Sequence, residues 1–304
     1  MSEAVAEVRK SVDRLYGHRV MRRRAPEVTS EAALRGARAS AALDGADWPL
    51  EEVRRRSDFG ADAESRTVGA ALRVSAEAGQ LISVWRHSPL QVLARLHLLA
   101  AGDADEAAGR PRRVGESAEA LFPLELKVAE SLGAGHPDAG DEEAGAHSHE
   151  APDTVPGSAG SAGTVAALPP APGAEEVAAR LDQLSRLIVA RTEGPGGGAP
   201  ALVVAAVVHG ELLALRPFGS HNGVIARAAQ RIVLIAEGLD PKAICPAEVG
   251  LAELGTEAYR RALSGYLAGT ADGLAGWISH CGQALRLGVR ESTAVCEAMQ
   301  RGMV

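Results

Sequence analysis

The sequence predicts an all-α fold from three observations. Hydrophobic residues make up 46% of the 304 residues but aromatic residues only 3%, so the core must be built from Ala, Leu and Val, which suit close helix packing. Apolar residues recur at steps of three and four along several segments, as on one face of a helix. Breaks rich in Gly and Pro separate these segments. We therefore expect helices throughout and a core large enough to fold unaided.

Net charge and cysteine content indicate which kinds of partner and which cellular compartment to expect. The net charge of -7 argues against a general affinity for nucleic acid, although all but three of the 32 basic residues are Arg. Cys245, Cys281 and Cys296 lie far apart without CxxC spacing, which predicts buried thiols in a reducing compartment. No apolar stretch is long enough to cross a bilayer. We expect a cytoplasmic protein that binds neither nucleic acid nor membrane.

The first 110 residues predict an N-terminal helical region. Thr29 or Ser30 can cap a helix over residues 31–43 that ends near Gly45. Pro49 suits the first position of a second helix, which continues into Leu50-Glu51-Glu52-Val53. Further helices are expected over residues 65–84 and 89–101.

Two breaks interrupt the chain after this region. Residues 133–163 are rich in Gly and Ala, contain an acidic run at 141–143 and have almost no large apolar side chain. Such a segment cannot bury enough apolar surface to fold, so it predicts a disordered acidic insert. The Gly-rich stretch at 194–198 predicts a loop between two helices. His136, His147 and His149 lie in this insert, and a loose metal site is the alternative to a solvated, unstructured tract. We favour the unstructured tract and expect no metal site.

The C-terminal half predicts the centre of a helical bundle. Residues 174–190 form an amphipathic pattern, whereas residues 201–215 are apolar nearly all round and suit a central helix. After a polar turn, Asn222 is expected to cap another apolar helix that ends near Gly238. Two further amphipathic helices are expected over residues 256–267 and 272–287.

The polar turn at residues 216–221 predicts a phosphate-sized anion site. Backbone amides at a helix start are unpaired, and the helix dipole favours an anion there. Asn222 and Gly223 allow a tight backbone, and Arg227 stands one turn into the helix. The same pattern, taken alone, is also that of an ordinary connection between helices.

The segment from Val208 to Arg227 resembles the signature of the Fic family, whose loop reads His-Pro-Phe-x-Asp/Glu-Gly-Asn-Gly-Arg-x-x-Arg. Five positions match in register, namely Pro217, Phe218, Asn222, Gly223 and Arg227. His209 also matches a histidine commonly found seven residues before the loop in this family. We interpret His209 as a satisfied histidine of a buried helix rather than as a ligand.

The resemblance extends beyond the loop. The stretch from Ser40 through Asp44 and Gly45 is similar to the family's inhibitory helix, Ser/Thr-x-x-x-Glu-Gly/Asn, with an acid one methylene shorter. Leu96-His97 with Gly109-Arg110 is similar to the family's Leu-His helix and the region that follows it. Leu168-Pro169, within residues 167–170, resembles the flap. The stretch from Tyr259 to Trp277 resembles the family's C-terminal helices. The resemblance implies a Fic-like helical bundle over residues 89–290, interrupted by the insert. An inhibitory-type helix at about 30–45 precedes it, and a tail at 291–304 follows.

Members of the Fic family transfer AMP from ATP to a target hydroxyl, with the loop His as general base and the loop acid holding Mg²⁺. Arg216 stands at the base position and cannot accept a proton. Ser220 replaces the acid, so Mg²⁺ binding is expected to be weakened or lost. His221 replaces the first loop glycine, and Val224 replaces the first arginine. ATP is therefore the ligand that the resemblance implies, with no catalytic residue intact.

Three functions remain open on these residues. The first is a Fic-fold protein that binds a nucleotide or a phosphorylated ligand through Asn222, Gly223 and Arg227 without ordinary AMP transfer. The second is a nucleotidyl- or phospho-group transferase of altered mechanism that acts on a protein hydroxyl, with His221 as the base or with substrate-assisted proton removal. The third is a regulatory module with an idle cleft that binds a protein partner or a second copy of itself. In each case the resemblance predicts an ion pair between Asp44 and Arg227.

Overall fold

A computed structural model of the chain describes residues 2–102, 105–122, 168–193 and 198–303, and across these ranges it contains helices but no β-strand. In chain order the α-helices are α1 (Ser2–Tyr16), α2 (Ala25–Leu43), α3 (Leu50–Arg55), α4 (Ala63–Ala78), α5 (Ile82–Trp85), α6 (Pro89–Ala101), α7 (Ala174–Glu193), α8 (Ala201–Leu215), α9 (Asn222–Ala236), α10 (Ala247–Leu254), α11 (Thr256–Leu267) and α12 (Ala271–Gln300). Short 3-10 turns occur at Arg19–Arg22 and Gly79–Leu81. The prediction of an all-α fold is confirmed.

Several helix boundaries in the N-terminal region differ from those predicted. Helix α2 begins at Ala25, because Pro26 favours a first helical turn, so the expected caps Thr29 and Ser30 lie inside the helix. The hydroxyl of Thr29 instead donates to the carbonyl of Lys242 at 3.0 Å. The single helix expected over residues 65–84 is divided by the 3-10 turn that begins at Gly79.

The C-terminal boundary also differs from the prediction. Helix α12 continues to Gln300, so most of the expected tail at 291–304 is helical. The physical reason is a continued apolar face, since Val295, Cys296 and Met299 are all buried. Helices α1 and α10 were not predicted. The first is rich in charged residues, and the second is only 8 residues long.

Helices α8 and α9 form the centre of the bundle. Both carry large aliphatic side chains that are fully buried, among them Leu202, Leu212, Leu215, Ile225 and Ile232. Burying each such side chain stabilises the fold by roughly 1.5–3 kcal/mol. The loop between the two helices therefore projects from a rigid base, which fixes the positions of its side chains.

Helix α2 lies directly across α9. A Cβ atom added to Gly36 would stand 2.1 Å from the NH2 atom of Arg231, so any larger residue at this crossing would displace that guanidinium. Arg231 is in turn paired with Glu248 of α10, with an NH2 to Oε2 distance of 2.9 Å. This close packing holds the C-terminal end of α2, with Ser40 and Asp44, over the start of α9.

Other predictions concern residues away from this centre. The predicted disordered insert at 133–163 lies outside the described residues. Cys245, Cys281 and Cys296 are free thiols and buried, as predicted. No helix within the described part of the chain combines the length and apolar character needed to cross a membrane.

Candidate anion-binding site

The loop between α8 and α9 is a tight turn, as predicted. Arg216 and His221 at its two ends adopt left-handed backbone conformations, with φ of 42° and 60°. Asn222 is the first residue of α9 rather than its cap, which corrects the prediction. Its side-chain amide reaches back across the turn, accepting from the Phe218 amide at 3.0 Å and donating to the Phe218 carbonyl at 2.8 Å. Asn222 therefore fixes the shape of the turn.

Phe218 anchors the loop to α6. Its ring is buried and stacks on the ring of His97, with centroids 4.2 Å apart. The Nδ1 atom of His97 accepts a hydrogen bond from the amide of Gly109 at 3.0 Å. Burial, and secondarily the neighbouring His221, lower the pKa of His97 to about 4. His97 is therefore neutral at pH 7 and carries its proton on Nε2, which faces the Ser220 hydroxyl oxygen at 3.4 Å.

Ser220, which the resemblance aligns with the family's acid, lies between two imidazoles. Its hydroxyl oxygen is also 2.8 Å from Nδ1 of His221. Burial lowers the pKa of His221, although the carboxylates of Glu119 and Asp44 act in the opposite direction. Mg²⁺ prefers anionic oxygen, whereas Ser220 offers a neutral hydroxyl that is already hydrogen-bonded. The residues at this position do not fit the magnesium site of the Fic signature.

Arg216, which the resemblance aligns with the family's base, ties the loop to the segment predicted as the flap. Its NH2 atom donates to the carbonyl of Pro169 at 2.6 Å. Leu168 packs against the hydrophobic core beside it. Burial, and secondarily the nearby Arg112, lower the pKa of Arg216. A guanidinium nevertheless stays protonated at neutral pH and cannot remove a proton from a substrate.

Arg112, which sequence reasoning missed, holds the loop backbone from the other side. Its Nε atom donates to the carbonyl of Arg216 at 2.8 Å, and its backbone amide donates to the carbonyl of Pro217 at 2.8 Å. Arg110, which the resemblance had singled out, instead pairs with Glu116 at 2.6 Å. Arg112 follows Gly109 with the spacing Gly-x-x-Arg, so that spacing was the signal that could have identified it.

Glu119 is a second residue that the sequence did not reveal. Its backbone amide donates to the carbonyl of Gly219 at 2.9 Å. Its carboxylate accepts a hydrogen bond from the amide of His221 at 2.7 Å. A carboxylate of the chain itself therefore binds the amide that immediately precedes α9.

Asp44 and Arg227 form the predicted ion pair, with 2.8 Å between Oδ2 and NH2. Ser40 accepts two further hydrogen bonds from the same guanidinium, at 2.8 Å through its hydroxyl and 3.0 Å through its carbonyl. The side chain of Arg227 is 2% exposed and that of Asp44 is 25% exposed. Burial, the largest single influence, lowers the pKa of Arg227, but the combined attraction of Asp44 and Tyr259 outweighs it, so the pKa is raised.

Gly223 lets the Asp44 carboxylate approach the first turn of α9. A Cβ atom at Gly223 would stand 2.5 Å from Oδ1 of Asp44. The positive end of the helix dipole favours a negative charge at this place. With Glu119 on the amide of His221, two carboxylates of the chain face the start of α9. Two acids of the chain thus occupy the place where the sequence predicts an anion.

His209 lies beneath this site and is fully buried. Its Nε2 atom is 2.6 Å from the hydroxyl oxygen of Tyr259. Burial, and secondarily the charge of Arg227, hold the pKa of His209 well below its usual range. The interpretation of His209 as a buried histidine is confirmed, although its Nδ1 atom has no hydrogen-bond partner.

Solved structures define the class of fold to which this arrangement belongs. A Fic family protein from Desulfovibrio desulfuricans G20 is similar with a TM-score of 0.65 and 18% identity, over 97% of this chain and 75% of that one. Fic-1 from C. elegans is similar with a TM-score of 0.57 and 13% identity, over 98% of this chain and 73% of that one. No protein-family model matches the sequence, and no curated protein is significantly similar to it.

The chain therefore has the all-helical Fic fold, as the resemblance predicted. At these identities the similarity defines the fold alone, so activity and ligands have to be argued from the residues of the site.

Proposed function

We propose that this Fic-fold protein binds a nucleotide or another phosphorylated ligand at the start of α9 and does not perform ordinary AMP transfer. The ion pair of Arg227 with Asp44 supports this most directly. A buried guanidinium requires an anionic partner, and the partner in the structure is a carboxylate that reaches solvent. A phosphate group offers the same charge with more acceptor oxygens and suits both a guanidinium and a helix start.

Asp44 then acts as an internal competitor of the ligand. Its carboxylate lies against Gly223 and on Arg227, which are the residues that a phosphate would contact. Carboxylate and phosphate cannot occupy one place, so binding requires Asp44 to move. This is the inhibitory role that the resemblance implies for the helix carrying Ser40, Asp44 and Gly45.

Two loop residues, Arg216 and Ser220, are the reason we expect no ordinary AMP transfer. Arg216 has no lone pair with which to accept a hydroxyl proton, and its guanidinium is bonded to Pro169. Ser220 is a poor ligand for the divalent ion that would neutralise a triphosphate. Changing Arg216→His alone is not expected to restore strong transfer, because Ser220 and Val224 remain.

His221 supports the second candidate, a phospho-group transferase of altered mechanism. Burial keeps its imidazole neutral at pH 7, as a general base requires. The ring also borders an open cleft of about 770 Å³ beside Arg66 and Arg73. The third candidate, an interaction module with an idle cleft, predicts no nucleotide binding.

Calorimetric titration with ATP, with and without Mg²⁺, tests the proposal. The Asp44→Ala variant should bind ATP about tenfold or more tightly than the unaltered protein, because ATP no longer has to displace the Asp44 carboxylate. A tenfold change in affinity corresponds to about 1.4 kcal/mol of binding free energy. Asp47→Ala is the matched control, since Asp47 is a nearby acid that pairs with Arg38 on the surface. It should leave binding unchanged. Silent titrations of both the unaltered protein and Asp44→Ala would favour the idle cleft.

Incubation with ATP labelled at the α-phosphate separates binding from transfer. No label should enter the protein itself or the proteins of a lysate. Incorporation that is abolished by His221→Gln would instead establish the transferase of altered mechanism.

A further inference from the structure

The hydroxyl of Ser220 is hydrogen-bonded to two imidazole rings. Its oxygen lies 2.8 Å from Nδ1 of His221 and 3.4 Å from Nε2 of His97. Within the described part of the chain, these two rings are its only hydrogen-bond partners. A serine hydroxyl within hydrogen-bond reach of an imidazole nitrogen is the arrangement of a nucleophile and its base.

The hydrogen bonds of His97 give this group a direction. Nδ1 of His97 accepts from the amide of Gly109 at 3.0 Å, so the neutral ring carries its proton on Nε2 and donates it to the oxygen of Ser220. The hydroxyl proton of Ser220 then points to Nδ1 of His221, which accepts it. If both rings donated to the oxygen instead, the hydroxyl proton would have no acceptor in the protein. The direction is thus that of proton transfer from Ser220 to His221.

His221 is both held in place and open to a small molecule. Its backbone amide donates to the carboxylate of Glu119 at 2.7 Å. Burial lowers the pKa of its imidazole, so the ring is neutral at pH 7 and able to accept a proton. Ser220 and His221 are only half-buried, and the ring of His221 borders the open cleft of about 770 Å³. A molecule in the cleft can therefore approach the pair.

Positive charge borders the same cleft. Arg66 and Arg73 line it together with His221. Arg73 is held by two hydrogen bonds, of 2.7 and 3.1 Å, to carbonyls in the last turn of α6. The acids that line the cleft, Asp58 and Glu119, each accept a hydrogen bond from a backbone amide. Guanidinium groups beside the pair favour a substrate that carries negative charge, such as a phosphate.

We propose that Ser220 is a nucleophile toward phosphorus, with His221 as its general base, and that the substrate is a phosphate ester or anhydride. Oγ of Ser220 forms a bond to phosphorus, and the bond from phosphorus to the leaving oxygen breaks. The hydroxyl proton passes to Nδ1 of His221 and then to the leaving oxygen. The product is a phosphoserine at position 220. With ATP, attack on the terminal phosphorus leaves the α-phosphate in the departing diphosphate, so no AMP is transferred.

The class of substrate rests on the proposed function, whereas the reactivity of Ser220 does not. A fluorophosphonate probe tests that reactivity without any other ligand, because its phosphorus carries fluoride as the leaving group. Peptide mass spectrometry of the full-length protein should locate the probe on Ser220, and Ser220→Ala should abolish labelling. An unaltered protein that takes up no probe, or labelling that persists in Ser220→Ala, would overturn the inference.

Two further variants separate the base from the surroundings. His221→Asn introduces a residue that tolerates the left-handed backbone at this position but cannot take the proton. It should slow labelling about 100-fold or more, as expected for loss of a general base. Ser75→Ala is the matched control, because the hydroxyl of the half-buried Ser75 donates to a carbonyl at 3.1 Å and not to an imidazole. Its labelling should be unchanged. Equal rates in His221→Asn and Ser75→Ala would exclude His221 as the base.

ATP labelled at the terminal phosphate tests the substrate in the Asp44→Ala background. Label should appear on Ser220 and be lost when Ser220→Ala is added. If Asp44→Ala binds ATP in calorimetry but takes up no label, the class of substrate is wrong while the proposed function stands. If Asp44→Ala does not bind ATP at all, the proposed function fails, and the fluorophosphonate result then decides the reactivity of Ser220 on its own.

Discussion

Arg227 and Arg231 are two buried arginines one turn apart on α9, and their partners differ. Arg231 makes two hydrogen bonds to the carboxylate of Glu248, at 3.1 and 2.9 Å. Both side chains of that pair are less than 10% exposed, at 9% and 8%. Arg227 has a carboxylate partner, Asp44, whose side chain is 25% exposed, and completes its contacts with Ser40.

Under the proposed function, one helix carries a permanent pair and an exchangeable one. A charge pair that is sealed on both sides can be broken only at the cost of an uncompensated buried charge. A pair whose acid reaches water can exchange that acid for another anion. Accessibility of the partner, rather than burial of the arginine, therefore distinguishes the structural pair from the candidate site.

The largest effect is expected from breaking the sealed pair. Glu248→Ala should lower the free energy of unfolding by about 3–5 kcal/mol, because Arg231 would remain buried without its anion. Urea denaturation measures this loss. Glu253→Ala is the control, since Glu253 pairs with Arg290 on the surface, where such pairs contribute about 0–1 kcal/mol. Equal losses in the two variants would contradict the distinction between the pairs.

An intermediate effect is expected from crowding the exchangeable pair. Gly223→Ala places a methyl group where it would stand 2.5 Å from Oδ1 of Asp44 and 3.0 Å from NH1 of Arg227, so the ion pair must shift. The variant should lose about 1–3 kcal/mol of stability, the usual cost of overpacking. In the Asp44→Ala background the same change should cost clearly less. A full double-mutant cycle with no coupling would show that Asp44 does not lie against Gly223.

The smallest effect is expected from lowering the pH. It concerns the imidazole of His209, which is neutral in the folded protein. Burial, and then the charge of Arg227, keep the pKa of His209 below its usual range, whereas the unfolded chain takes up this proton near pH 6.5. The unfolded state therefore binds more protons as the pH falls below about 6.5, and native stability is lost in that direction.

The slope contributed by one such ring is at most about 1.4 kcal/mol per pH unit. Urea denaturation between about pH 7.5 and 5.5 should show that the unaltered protein loses stability more steeply than His209→Gln. Parallel curves would mean that His209 is not held neutral in the fold.

Sequence patterns predicted the parts of the site that depend on local signals. The apolar run at 201–215 and the polar turn after it are visible in the sequence, and they gave two central helices and a tight turn. The contact between Asp44 and Arg227 was also predicted, because both residues fall within recognisable family patterns. Their functional roles stay predictions.

The remaining parts could not be predicted because they depend on long-range packing. Glu119 is not part of any recognisable sequence motif. Its carboxylate reaches the loop only because the backbone at Glu119 packs beside Gly219 in the folded chain. Tyr259 was noted as a family similarity, but its contact with His209 depends on how α11 packs on α8. Asn222 was misassigned as a cap because capping and turn-closing asparagines have the same local sequence.

Asp44 lies one residue beyond the last residue of α2, and Gly45 follows it with a φ of 97°. The acid is therefore held just past a helix end, where fraying costs least, while Gly36 belongs to the body of the helix. Exchange of Asp44 for another anion then needs only a local opening of the last turn and no movement of the whole helix. Amide hydrogen exchange should accordingly be faster at residues 44–46 than in the middle of α2, and bound ligand should widen that gap.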